Sequence, residues 1–139
     1  MAKFGKTSLE RLETCHEDLQ LLFLQVVSTF DCSVICGHRG EEEQNKAFNA
    51  SPQLSKLKFP DSKHNSYPSM AIDVVPYPVD WQDIKRMHYF AGYVKATAEQ
   101  LKKDQLISHD IRWGGDWDGD TQVNDQTFID LPHFELVSN

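Results

Sequence analysis

The chain has 139 residues, 40% of them hydrophobic and 25% charged, with a net charge of -7. That composition is near the globular average of roughly 45–50% apolar and about 25% charged, so a packed core is expected and wholesale disorder is not. The length suits one domain over residues 1–139, and the acidic balance with no Lys/Arg stripe argues against a partner made of nucleic acid.

Thr7 followed three residues later by Glu10 resembles a capping box, and Leu9, Leu12, Leu19, Leu22, Val26 and Phe30 continue an apolar stripe. The pattern predicts one amphipathic helix of about six turns, closed by Asp31. The run Leu19 to Phe30 falls short of the roughly 20 residues that a membrane span needs, so no insertion in a membrane is expected. Met1 to Thr7 lacks the apolar core and cleavage site of a secretory signal, and synthesis is expected to end in a cytoplasm. Cys32 to Gly37 is β-rich and reads as a buried strand leading into His38-Arg39-Gly40. Three cysteines, Cys15, Cys32 and Cys36, do not make a disulfide framework and read as small buried hydrophobes, with Cys32 and Cys36 on one strand face.

Glu41, Glu42 and Glu43 favour a helix N-terminus, predicting a second helix from Glu41 to about Asn49. Residues 50–68, interrupted by Pro52, Pro60 and Pro68, have no sustained period and read as a long loop, a natural place for a site. A strand is expected over Ala71 to Tyr77. Asp80 can cap a helix whose stripe is Ile84, Met87, Ala91, Val94, Ala98 and Leu101. Ile111 to Gly115 and His133 to Val137 complete the strands, with an Asp/Gly-rich loop between them. Helices and short strands mix without regular alternation, so the fold class is α+β.

Asp73 is the most informative position: a charge inside Ala71-Ile-Asp-Val-Val75 must be paired, hydrogen-bonded or on a metal if the strand is buried. Alternation turns Asp73 away from Ile72 and Val74, and in the last strand sets His133 and Glu135 opposite Phe134 and Leu136. His64 could complete a His/Asp/His set, which suits catalytic zinc because three protein ligands leave one position for water. Asp130, across Pro132 from His133, could then serve as general base. Capped loops and surface charge are the plain alternative. His16, His88 and His109 read as surface or capping histidines, and His38 as either a cleft residue or a solvated one. Asp116, Asp118 and Asp120 alternate as in a calcium loop, but Gly119 is misplaced and no glutamate stands twelve positions from Asp116, so calcium there lacks support.

Four motifs resemble one family. Ser62-Lys-His64 with Ala71-Ile-Asp73 is similar to the zinc motif of the peptidoglycan peptidases that include D-Ala-D-Ala dipeptidases and carboxypeptidases and the phage L-alanyl-D-glutamate endopeptidases. Asp130-Leu-Pro-His133-Phe-Glu135 resembles their closing base-and-ligand motif. Gly37-His-Arg39 with Gln44 resembles their substrate-binding arginine segment, and Trp113-Gly-Gly-Asp-Trp117 their tryptophan turn. The loop from His64 to Asp73 is two residues longer than the familiar spacing, around Tyr67 and Pro68, and Ser69 replaces the usual glycine; a loop absorbs such an insertion readily.

The resemblance implies a Hedgehog/DD-peptidase-like domain, with a small, mostly antiparallel sheet packed against helices. It implies one zinc ion on His64, Asp73 and His133, with Asp130 as base and Arg39 on the scissile carbonyl oxygen or a substrate carboxylate. Ser62 and Glu135 would orient ligands, and Arg39, Tyr67, Trp113 and Trp117 would line the substrate cleft. The expected protein is a monomeric phage endolysin. It would cut a peptidoglycan stem peptide, most naturally between L-alanine and D-glutamate, after release to the wall by other means. A D-Ala-D-Ala carboxypeptidase is the nearest alternative, and a non-catalytic zinc-containing wall-binding module a further one.

Overall fold

The computed structural model describes residues 2–138. In chain order the elements are α1 (Lys6–Leu12), α2 (Glu17–Val27), β1 (Cys32–Cys36), α3 (Glu41–Asn49), a 3-10 turn (Lys63–Asn65), β2 (Ala71–Pro76), α4 (Ile84–Lys103), β3 (Asp110–Trp113) and β4 (His133–Val137). The strands form one antiparallel sheet in the order β1-β2-β4-β3. This α+β architecture is the one expected from the sequence. Inserting β4 between β2 and β3 has one functional consequence: it makes Asp73 and His133 cross-strand partners.

The core lies between the sheet and the pair α2 and α4. Leu19, Leu22, Phe23 and Val26 from α2 and Phe90, Ala91 and Val94 from α4 are almost fully buried against Ile72, Val74, Phe134 and Leu136. Each large apolar side chain so buried contributes about 1.5–3 kcal/mol. Phe134 anchors the layer, with Phe23 and Phe90 meeting its ring edge-on at centroid distances of 5.5 and 6.2 Å. Five of the six residues of the α4 stripe are buried; Ile84, at the helix start, is exposed.

The structure differs from expectation in four local places. The first helix is two, because the backbone at residues 14–16 leaves helical geometry to pair with Ser69: the Ser69 N–H donates to the Thr14 carbonyl and the His16 N–H to the Ser69 carbonyl, both at 2.9 Å. His16 then caps α2, its Nδ1 accepting from the Asp18 N–H. The Thr7–Glu10 capping box does not form, because α1 starts at Lys6 behind Gly5 and places Thr7 inside the helix. Asp83, rather than Asp80, caps α4, while Asp80 closes the preceding turn on Gln82. A register shift between Val34 and Cys36 turns Cys36 to the face of its partner Asp73, so Cys32 and Cys36 do not share a face. Cys15 and Cys32 are buried hydrophobes whose thiols burial pushes up to about 12; Cys36 is half-buried.

Candidate active site

Three elements bring His64, Asp73 and His133 together. Ser62 caps the 3-10 turn, its hydroxyl accepting from the His64 N–H at 3.2 Å, and Asn65 returns the bond to the Ser62 N–H at 3.0 Å. The turn delivers His64 with Nδ1 donating to the Gly37 carbonyl at 2.7 Å, which leaves Nε2 as the inward nitrogen. Gly37 must be glycine, since a Cβ there would run into the Thr14 hydroxyl and the Arg11 carbonyl. On β4, His133 donates from Nε2 to Glu135 Oε1 at 2.7 Å and turns Nδ1 inward.

The inward atoms form a nearly equilateral triangle. His64 Nε2 lies 3.3 Å from His133 Nδ1, and Asp73 Oδ1 lies 3.3 and 3.4 Å from the two nitrogens. Asp73 Oδ1 is buried and has no hydrogen-bond partner among the described residues, despite that proximity. A tetrahedral ion with bonds of about 2.0–2.1 Å needs ligand atoms about 3.3–3.4 Å apart. The spacing, the donor types and the unpartnered carboxylate oxygen therefore all fit a small divalent cation.

The electrostatics agree. Burial disfavours the His64 imidazolium, but the Asp73 carboxylate overrides it and pushes the group up to about 10. Burial likewise opposes the Asp73 charge, and the two imidazoles hold its carboxyl well below the usual range. His133 is raised against burial by Asp73 and Glu135. The buried Asp73 carboxylate thus favours positive charge at this point, which a bound cation would supply.

Asp130 stands beside this trio, with Oδ2 3.9 Å from His133 Nδ1. Burial first, and then the neighbouring Asp73 charge, push its carboxyl up to about 6, near the value that suits a base at neutral pH. Gly114 fixes its backbone: the Asp130 N–H donates to the Gly114 carbonyl at 2.9 Å, and a Cβ on Gly114 would strike the Asp130 carbonyl. Arg39 completes the cluster, reaching Gln44 Oε1 at 3.0 Å and Asp73 Oδ2 at 3.4 Å. Asn65 ties the arrangement together by donating to both the Arg39 carbonyl and Gln44.

The cleft corrects two expectations. Trp117 does line it, its ring tilted over His133 at 5.3 Å. Trp113 does not: β3 alternation turns it into the core at 6% exposure, where Nε1 donates to the Leu131 carbonyl and steadies the chain behind Asp130. Tyr67 is 70% exposed against His38 and borders neither cleft cavity, because the longer loop carries it outward. Asn65 and Lys63 were not singled out in the sequence. Lys63 donates to the Leu136 carbonyl at 2.5 Å and meets Glu135 at 3.5 Å, so it restrains the carboxylate that orients His133.

Among the described residues, two other groups converge without joining this site. Asp116, Asp118 and Asp120 bring carboxylate atoms together on the Asp/Gly-rich loop. His16, Asp18 and His109 do so at the α2 start, but His16 Nδ1 is the helix cap and His109 Nδ1 donates to Asp18 at 2.8 Å, so these atoms already serve structure. No helix among the described residues is long and apolar enough to cross a membrane.

A profile of the family described as phage L-alanyl-D-glutamate peptidase matches residues 1–137. The fold is similar to the crystal structure of the Serratia marcescens L-Ala D-Glu endopeptidase ChiX. The two share a TM-score of 0.67 and 23% identity over 97% of this chain and 90% of that one. No curated protein sequence matches.

Proposed function

The chain belongs to the phage L-alanyl-D-glutamate peptidase family, a family of peptidoglycan endopeptidases, and we propose that it is a zinc-dependent endolysin cutting the L-alanyl–D-glutamyl amide of the stem peptide. The observation that carries the zinc reading is the triangle of His64 Nε2, His133 Nδ1 and the unpartnered Asp73 Oδ1. In this reading residues 1–139 form one zinc peptidase domain, which works as a monomer and reaches the wall from the host cytoplasm by other means.

His64, Asp73 and His133 would hold the ion. When bound, zinc supplies Lewis acidity that polarises the scissile carbonyl and lowers the pKa of water from 15.7 toward about 7. Asp130 takes the proton from the attacking water and delivers it to the leaving amine, a role for which a carboxyl near 6 is placed. Arg39, held by Gln44 and Asn65, offers its guanidinium to the carbonyl oxygen as charge develops there, or to a substrate carboxylate. Trp117 covers the His133 side of the cleft. Glu135 and the Gly37 carbonyl keep the two imidazoles aimed, and Ser62 caps the turn that delivers His64.

The test is digestion of purified peptidoglycan with and without chelator, followed by mass spectrometry of the new termini. Chelator-sensitive appearance of glutamate amino termini is expected. Free D-alanine without those termini would establish the carboxypeptidase alternative, and no cleavage with zinc bound would favour the wall-binding module.

A further inference from the structure

The cleft has two cavities, of about 490 and 690 Å³, that share Arg39, Leu54 and Asp130. His64 and His133 line the first and Asp73 lines the second, so the trio lies across the seam. A linear substrate with its scissile amide at the trio has one cavity open to each arm.

The two walls differ in chemistry. The first cavity carries Lys56, Lys63, Arg112 and Gln126 beside Trp117. Lys63 is already committed to Leu136 and Glu135, whereas the Lys56 ammonium lies 5.6 Å over the Phe128 ring and Arg112 is exposed 3.9 Å from Glu135. Asp61, Asp125, Asp130 and Glu135 also border this cavity, making it a mixed-charge wall. The second cavity has Ile35, Leu54, Trp81, Ile84 and Ile129 in its lining, together with Glu43 and Lys46 and, toward the trio, Arg39, Asp73 and Asp130. Trp81, Ile84 and Ile129 are 49%, 48% and 54% exposed. Exposed apolar side chains gathered round one cavity, continuous with a catalytic cluster, mark a binding surface.

Resting on the proposed endopeptidase reading, the bond itself has matching polarity. Its amine side is a glutamate with carboxylates, and its acyl side is an alanine methyl that continues through a lactoyl group to a sugar. We propose that the cleft fixes the direction of the stem peptide. The D-glutamyl arm enters the charged cavity, with its α-carboxylate on Lys56 and Arg112. The L-alanyl arm enters the apolar cavity, with its methyl on Ile129 and the sugar against Trp81. The opposite direction would desolvate a carboxylate against isoleucine and offer Lys56 and Arg112 no substrate carboxylate.

Four synthetic stem peptides test this with the zinc-loaded protein: glutamate α-carboxylate free or amidated, each with the alanine nitrogen either muramoylated or free. The wild type should prefer the free carboxylate and the muramoyl group in kcat/KM. Lys56→Gln should reduce the carboxylate preference by roughly tenfold, as loss of one charge-assisted hydrogen bond does, and leave the muramoyl preference intact. Arg112→Gln, checked for unchanged zinc content because of its contact with Glu135, should do the same. Trp81→Ala should reduce the muramoyl preference alone. An exchange of these effects would overturn the direction. Cleavage of the alanyl–glutamyl bond with neither preference would overturn the assignment of the arms while leaving the endopeptidase reading standing; cleavage of none of the four would sink both.

Discussion

Asp73 and His133 face one another across β2 and β4, and the Asp73 oxygen that points at the His133 ring, 3.4 Å from Nδ1, accepts no hydrogen bond from the described residues. Sheet order creates that juxtaposition, and Glu135 sharpens it by holding the far nitrogen of the ring. Glu135→Gln should therefore keep the fold but weaken zinc affinity by roughly 10–100-fold, the usual effect of removing a carboxylate behind a ligating histidine. Competition with a chromophoric chelator measures it, and wild-type affinity would mean that Glu135 does not orient the ring.

Base and ligand separate by mutation. Asp130→Ala should retain stoichiometric zinc and lose about 10²–10⁴-fold in wall lysis, the span of a general base. His133→Ala or Asp73→Ala should lose the metal itself. Normal lysis by Asp130→Ala would transfer the base role to another carboxylate.

Gly114→Ala drives a methyl into the Asp130 carbonyl. Overpacking of this kind costs about 1–3 kcal/mol, and it should displace the base, so kcat should fall more than KM changes. Thermal unfolding with steady-state kinetics on one preparation checks both. A lowered Tm with unchanged kcat would show that Asp130 tolerates the shift.

Away from the site, Asp18 Oδ2 accepts from the Ser108 and His109 N–H groups and from His109 Nδ1, joining α2 to the start of β3. Burial opposes its charge, but these bonds win and hold the carboxyl below its ordinary value. A depressed carboxyl stabilises the fold above the unfolded pKa, near 3.9, and loses that contribution as pH falls through the folded value. Asp18→Asn should thus cost about 1–3 kcal/mol at pH 7, with the difference from wild type shrinking in acid. Urea unfolding at several pH values reads it; a constant difference would place the effect in packing rather than charge.

Sequence patterns revealed the features that depend on alternation. Asp73 stood out as a charge in an apolar strand, and the same period set His133 and Glu135 apart from Phe134 and Leu136. The break between α1 and α2 was not legible, because Ser69, distant in the chain, causes it through backbone pairing. Trp113 and Trp117 look alike as aromatic residues in a glycine turn; only the sheet register sends the first into the core. Lys63 and Asn65 act through carbonyls and amides brought near by folding, which no local motif announces. Cys36 reached the Asp73 face through a register shift that strict alternation cannot foresee.

The metal centre is the core of this account, and zinc-edge X-ray absorption on protein loaded with one equivalent of zinc tests it most directly. The expected spectrum has two imidazoles and a light oxygen or nitrogen shell at about 2.0–2.1 Å, with no sulfur. A sulfur shell at about 2.3 Å, which would bring in Cys36, or a shell unchanged in the His64→Ala protein, would contradict the assignment of His64, Asp73 and His133 as the ligands.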